Sequence, residues 1–184
     1  MKIIAGEYKG RIIEMPKGIR PTSEKVRESL FEILKNRIKE ASFLDLYSGS
    51  GAIGIEALSR GAKKVVFVDN NRNCISVLRG NLDKLGVPES SYDIYIKDCI
   101  DGVKTLKRSG GCFDIIFLDP PYCTGLAKNT LIGLSSCDIL TPNALVIAEV
   151  FKKEGLPEES GIFKKIRSSK YGDTILEFYR SNAH

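Results

Sequence analysis

Phe43-Leu-Asp-Leu-Tyr-Ser-Gly-Ser-Gly-Ala-Ile-Gly54 runs from a short apolar segment through a glycine turn into a second apolar segment. Phe43 to Tyr47 is short, apolar and followed by turn residues, which predicts a buried strand. Gly49 and Gly51 let the backbone turn sharply and approach a ligand that a Cβ would obstruct. Ala52 to Arg60 predicts a helix whose unpaired N–H groups face that ligand.

Gly49-Ser-Gly-Ala-Ile-Gly54 fits G-x-G-x-x-G, a pattern shared by dinucleotide sites and by turns that hold no ligand. Asp45, four residues before Gly49, extends it to D-x-x-x-G-x-G, the pattern of S-adenosylmethionine (SAM) sites. A carboxylate at the end of the first strand suits a ligand with an ammonium group and is an awkward neighbour for a pyrophosphate. Asp69 ends the next apolar run, Val65-Val-Phe-Val68, about 20 residues after Gly49, where a ribose-binding acid is expected. Asp45 thus favours SAM over NAD.

Downstream, strand and helix patterns alternate: strands at Lys64–Val68, Tyr92–Lys97, Phe113–Leu118 and Ala144–Phe151, with helices near Arg72–Leu85, Gly102–Lys107 and Leu126–Ser135. That rhythm predicts a mostly parallel, doubly wound α/β sheet with ligands at the C-terminal strand ends. Phe163–Ser169 and Thr174–Arg180 read as an antiparallel hairpin that ends the sheet. Upstream, Ile3-Ile-Ala5 and Arg11-Ile-Ile-Glu14 flank Gly6–Gly10 as a β-hairpin. Thr22 or Ser23 then caps a helix bearing Val26, Leu30, Ile33, Leu34 and Ile38. The chain divides into an N-terminal extension, 1–40, within the same compact unit, and a ligand-binding domain, 41–184.

The 184 residues suffice for one domain with a substantial core. No apolar run is long enough to span a membrane and the N-terminus does not read as a signal peptide, so a cytoplasmic protein is expected. Five cysteines without C-x-x-C spacing read as reduced packing residues, not a disulfide or zinc framework. The one histidine, His184, is the last residue, which leaves Ser-His-Asp and Cys-His chemistry without a base and makes no metal site expected. Of the net charge of +5, most lies in residues 1–40, with ten Lys/Arg against six Asp/Glu. Such a segment either attracts a polyanion such as nucleic acid or is simply a solvated face.

A second chemical motif, Asp119-Pro-Pro-Tyr122, follows the fourth strand. The strand-end rule puts it on the same rim as Gly49 and Gly51. Two prolines give up two N–H groups and hold a stiff, extended turn. The Asp119 carboxylate and Pro120 carbonyl can then accept the two N–H groups of an exocyclic nucleobase amine, with Tyr122 stacking on the base. That nitrogen becomes acidic only as it gains the methyl group, so positioning and electrostatics suffice without a strong base. Asp98, at the end of the third strand, is placed either to accept from the adenine amino group of SAM or, like Asp101, to cap a helix.

With these motifs in place, the chain closely resembles the RsmD-type 16S ribosomal RNA guanine-N2 methyltransferases. The resemblance rests on Ile4-Ala-Gly-Glu-Tyr-Lys-Gly-Arg11, Arg20-Pro-Thr22, Val26-Arg-Glu-Ser-Leu-Phe31, Asp45–Gly51, Glu56-Ala-Leu-Ser-Arg-Gly-Ala62 and Phe113–Tyr122. It implies a Rossmann-like SAM-dependent methyltransferase fold and an N2-methylguanosine product in 16S rRNA. It also implies the assembled or assembling 30S subunit as substrate. By position, Asp45, Gly49 and Gly51 fall in the SAM loop, Asp69 at the ribose and Asp98 at the adenine. Their neighbours Tyr47, Ser48, Ser50, Asn70 and Cys99 join the cofactor set. Asp119, Pro120, Pro121 and Tyr122 fall at the target amine. Arg11, Arg20 and Arg27 are candidates for RNA phosphates or for closing over the cofactor, and a monomer is expected. The rivals are an adenine-N6 DNA methyltransferase, an NAD-dependent oxidoreductase and a non-catalytic RNA-binding or assembly factor. The first has only 42 residues before and 33 after the core motifs in which to build a base-reading domain.

Overall fold

The computed structural model describes residues 1–18 and 22–181. Helix α1 (Glu24–Leu34) leads to β1 (Ser42–Leu46), α2 (Ala52–Ser59), β2 (Lys64–Asp69), α3 (Arg72–Leu85) and β3 (Tyr92–Ile96). Next come α4 (Cys99–Arg108), β4 (Phe113–Leu118), α5 (Leu126–Ser135) and β5 (Leu140–Phe151). A two-residue β6 (Glu159–Ser160), β7 (Phe163–Tyr171) and β8 (Thr174–Ser181) complete one eight-stranded sheet, in the order β3-β2-β1-β4-β5-β8-β7-β6.

Strands β1 to β5 are parallel, whereas β8 pairs antiparallel with both β5 and β7. This is the Rossmann-like sheet ending in an antiparallel hairpin that the sequence predicts, with β8 inserted between β5 and β7. Local chemistry sets the ends. The Ser23 hydroxyl accepts from the Val26 N–H at the start of α1, and the Asn71 side-chain oxygen accepts from the Asn73 and Cys74 N–H groups to cap α3, which stops at Gly86 with φ 71°. Helix α4 begins at Cys99, earlier than the sequence suggests, because the Asp98 carboxylate accepts from the Ile100 N–H at 3.0 Å. Strand β5 likewise starts before Ala144, passing a register shift opposite Phe113 and Ile115.

Alternation along the strands sorts the core into two layers. Phe43, Val65, Phe67, Ile115, Phe117 and Ile147 pack with α1, α2 and α3; Leu44, Val66, Ile116, Leu118 and Val146 pack with α4 and α5. Extending the first series to the strand ends brings Asp45, Asp69, Asp119 and Glu149 onto the same face of the sheet. Leu176 and Phe178 share that layer, so Thr174 of β8 is in phase with it too.

The first residues differ from the expected hairpin. Among the described residues they form one isolated bridge, Lys2 to Ile12, instead of two strands. The reason is a competing acceptor: the fully buried Glu56 carboxylate of α2 takes the N–H groups of Ile4 at 2.8 Å and Ala5 at 3.0 Å. Ser59 continues the docking, accepting from the Tyr8 N–H and donating to the Ala5 carbonyl. Further along, the buried Asn81 side chain accepts from the Glu14 N–H at 2.7 Å and donates to the carbonyls of Glu14 and Ser50. The N-terminal arm is thereby tied to the glycine loop. Two cysteines, Cys74 and Cys99, are packing residues as expected, but Cys112 and Cys123 are exposed because they sit in the turns flanking β4.

Candidate active site

The parallel register aligns the ends of four neighbouring strands: Asp45 pairs with Phe67 and Phe117, and Leu118 with Ala148. Just beyond these points a cavity of about 610 Å³ opens, within the roughly 300–1,000 Å³ of small-molecule sites. Asp45, Asp69, Asp98, Asp119 and Glu149 all line it, together with the glycine loop and the Pro120–Tyr122 turn.

On the glycine-loop side, Tyr47 takes φ 61° and its hydroxyl meets Thr130 Oγ1 at 2.6 Å. Gly49 has φ 53° with nothing within 4 Å of where a Cβ would lie, so its missing side chain leaves open cavity. Its N–H donates to Asp69 Oδ2 at 2.8 Å, and Asp69 Oδ1 accepts from the Asn71 N–H. No side chain caps α2, whose first residues Ala52 and Ile53 face the cavity. The buried Ser48 hydroxyl lines it without a hydrogen-bond partner among the described residues.

Gly51 and Cys99, both in the expected cofactor set, lie just behind the cavity wall and do not line it. A Cβ on Gly51 would lie 2.3 Å from Leu78, and its φ of 80° also calls for glycine. Cys99 is buried against the Val68 carbonyl, and burial pushes its thiol up to about 12. Tyr47, Ser48, Ser50, Asn70 and Asp98 do reach the wall, and Asp98 is at the same time the helix cap.

Asp45 is buried and accepts from the Gly54 N–H at 2.9 Å. Burial pushes its carboxyl up to about 8, against that hydrogen bond, and the nearby Asp119 and Asp69 raise it further.

On the other side, Asp119 Oδ2 accepts from the Thr22 hydroxyl at 3.1 Å. The Tyr122 hydroxyl donates to Glu149 Oε1 at 3.1 Å and meets Thr174 Oγ1 at 2.8 Å. Its ring tilts against Phe151 with centroids 5.7 Å apart. Burial, offset by Thr174 and reinforced by Glu149 and Asp119, pushes the phenol up to about 12, so Tyr122 stays protonated. The turn beyond it is fastened to the end of β5 by Glu154, which accepts from the N–H groups of Cys123 and Gly125.

A family model described as Conserved hypothetical protein 95 matches residues 1–180. The Ribosomal RNA small subunit methyltransferase D of Haemophilus influenzae is 35% identical over 90% of this chain and 87% of its own. The Escherichia coli K12 protein of that name is 31% identical over 100% of this chain and 91% of its own. The chain belongs to the RsmD family. The solved structure of the Escherichia coli protein yhhF, 31% identical, superposes with a TM-score of 0.88 over 100% of this chain and 99% of that one.

Against the resemblance to RsmD proteins, the arginines of the arm divide. Arg27 is a correction: its guanidinium is fully buried, 3.6 Å from Glu56 Oε2, and donates to the Lys2 carbonyl at 2.9 Å, so it cannot meet a phosphate. Arg11 is exposed, donating to the Lys84 carbonyl at 2.9 Å. Arg20 lies outside the described residues, as does His184. Of the motif Arg20-Pro-Thr22, Thr22 is described and reaches the cavity, as do Met15 and Gly18. Glu149 and Thr174 are cavity residues that the motifs did not name. A lone glutamate near the end of the apolar run Ala144–Phe151 was the available signal for Glu149; Thr174 had none.

Proposed function

We propose that this protein transfers the methyl group of SAM to the exocyclic N2 amine of a guanine in 16S ribosomal RNA, in the assembled or assembling 30S subunit. The observation that carries this reading is the shared cavity: Asp119-Pro-Pro-Tyr122 opens onto the same space as the glycine loop. The names of the RsmD relatives support ribosomal RNA as substrate.

The residues present fit SAM. Gly49 leaves room, the Ser48 hydroxyl, unpartnered among the described residues, offers a hydrogen bond, and the acidic cluster suits a ligand bearing an ammonium and a sulfonium. When bound, SAM supplies an electrophilic methyl carbon. Asp45 would balance the ammonium, Asp69 would accept from the ribose hydroxyls, and Asp98 would accept from the adenine amine. Asp119 and the Pro120 carbonyl would take the two N–H groups of the target amine and hold its nitrogen toward the methyl carbon. The ring of Tyr122, fixed at its hydroxyl and against Phe151, would form a preset wall for the flipped base. Exposed Lys9, Arg11 and Lys17 would face RNA phosphates.

Methyl-labelled SAM offered separately with unmodified 30S subunits, free 16S RNA and duplex DNA tests the reading. Label recovered as N2-methylguanosine from RNA is expected; N6-methyladenine from DNA would transfer the chain to the rival chemistry. Because Asp45 must lose its proton to meet an ammonium, SAM affinity is expected to rise about tenfold per unit between about pH 6 and 7. Asp45→Asn should bind weakly with a flat profile; calorimetry in buffers of different ionisation enthalpy would detect the released proton. A pH-independent affinity in the unaltered protein would remove Asp45 from the ammonium site. Three phosphate contacts would cost roughly 20- to 40-fold in RNA affinity between about 50 and 200 mM salt. A flat salt response in filter binding would remove the phosphate role of the arm.

A further inference from the structure

Asp119 does not stand on its strand end alone. The Thr22 hydroxyl donates to its Oδ2 at 3.1 Å across 97 positions of sequence. Thr22 is held there from behind. Ser23 next to it caps α1, and that helix buries Val26, Leu30, Phe31 and Leu34 in the core shared with β1, β4 and β5. The donor is thus fixed by a packed helix and not by a loose loop.

We propose that Thr22 is a positioning residue for methyl transfer: its hydroxyl fixes the plane of the Asp119 carboxylate and keeps it ionised as the acceptor for the target amine. This rests on the catalytic role proposed for Asp119 above. Two physical effects support it. A carboxylate at a strand end turns about its terminal torsion, which is broad, until a donor selects one orientation. A hydrogen bond to the ionised form also favours that form. A protonated Asp119 would present an O–H donor to an amine that offers donors. The N-terminal arm therefore supplies part of the catalytic geometry as well as surface charge.

The test compares the unaltered protein with Thr22→Val, which keeps the shape and loses the donor, and Thr22→Ser, which restores it. Steady-state methyl transfer to unmodified 30S subunits is followed across pH, with a 13C titration of the Asp119 carboxyl in the free protein. Thr22→Val is expected to lower kcat about tenfold or more, with KM for SAM within about twofold. The acidic limb of its rate profile and the Asp119 titration should both move to higher pH, and Thr22→Ser should recover most of the loss. Thr22→Ala provides a second hydroxyl-free chain if valine prevents folding. Unchanged kcat and unchanged Asp119 titration would overturn the proposal. So would a loss confined to KM for SAM, which would assign Thr22 to the cofactor pocket. An unaltered protein that transfers no methyl group would defeat the function proposed above, and the carboxyl titration would still decide whether Thr22 governs Asp119.

Discussion

Asp119→Ala is expected to slow methyl transfer by about 10²–10³-fold while changing SAM affinity by no more than a few-fold. The carboxylate would act on the amine, whose two N–H groups need acceptors most when the nitrogen turns pyramidal toward the methyl carbon. An interaction of that kind lowers kcat and leaves ground-state binding of the donor nearly alone. Asp119 also takes the Thr22 hydroxyl, so alanine leaves that donor unanswered. Asp119→Asn therefore makes a useful companion: it keeps an acceptor oxygen for Thr22 but replaces charge with a dipole, and an intermediate rate is expected. Isothermal calorimetry with SAM and a labelled-methyl assay on the same preparations separate the two quantities. Equal losses in both would show Asp119 to be structural.

Glu56→Ala should destabilise the fold by about 3–5 kcal/mol, because it leaves the charge of Arg27 buried without its counter-ion. Glu56 is the buried hub of the arm: besides Arg27 at 3.6 Å it accepts from Arg60 Nε at 2.8 Å and from the N–H groups of Ile4 and Ala5. Burial already pulls the Arg27 guanidinium below its ordinary range, an effect that Glu56 opposes. For a chain of this size a loss of that order lowers Tm by about 10 °C. Glu56→Gln retains the shape and one acceptor oxygen but not the charge, and should recover only part. Calorimetric melting of the three proteins decides it; a Tm within about 2 °C of the unaltered protein for Glu56→Ala would show the ion pair to be dispensable.

The sheet was readable because its signals are local. Phe113–Leu118 is an apolar run ended by Asp119, and Arg72–Leu85 sits between an Asn71 cap and Gly86; both have the predicted bounds. The strand-end rule likewise places Asp45, Asp69, Asp98 and Asp119 on one rim from sequence alone. What escaped was pairing over long separations. The resemblance offers Arg27 for an RNA phosphate or for closing over the cofactor, yet its spacing to Leu30, Phe31 and Leu34 follows the buried stripe of α1. Its partner, Glu56, was equally visible as one acid in an apolar helix, but nothing local joins positions 27 and 56. The hairpin failed for the same reason: the acceptor that diverts Ile4 and Ala5 lies about 50 residues away. Glycines misled in another way, because Gly51 and Gly54 are required by Leu78 and Phe67 inside the fold, while Gly49 alone of the three faces open space.

Strand β8 sits inside the sheet, hydrogen-bonded on both sides, and its Thr174 holds the hydroxyl of Tyr122. Thr22, from the opposite end of the sequence, holds Asp119. During synthesis the early strands can pair as they emerge, but β5 keeps an open edge until β8 arrives. The nascent polypeptide therefore cannot assemble the Tyr122 side of its cavity while residues 174–181 remain in the exit tunnel.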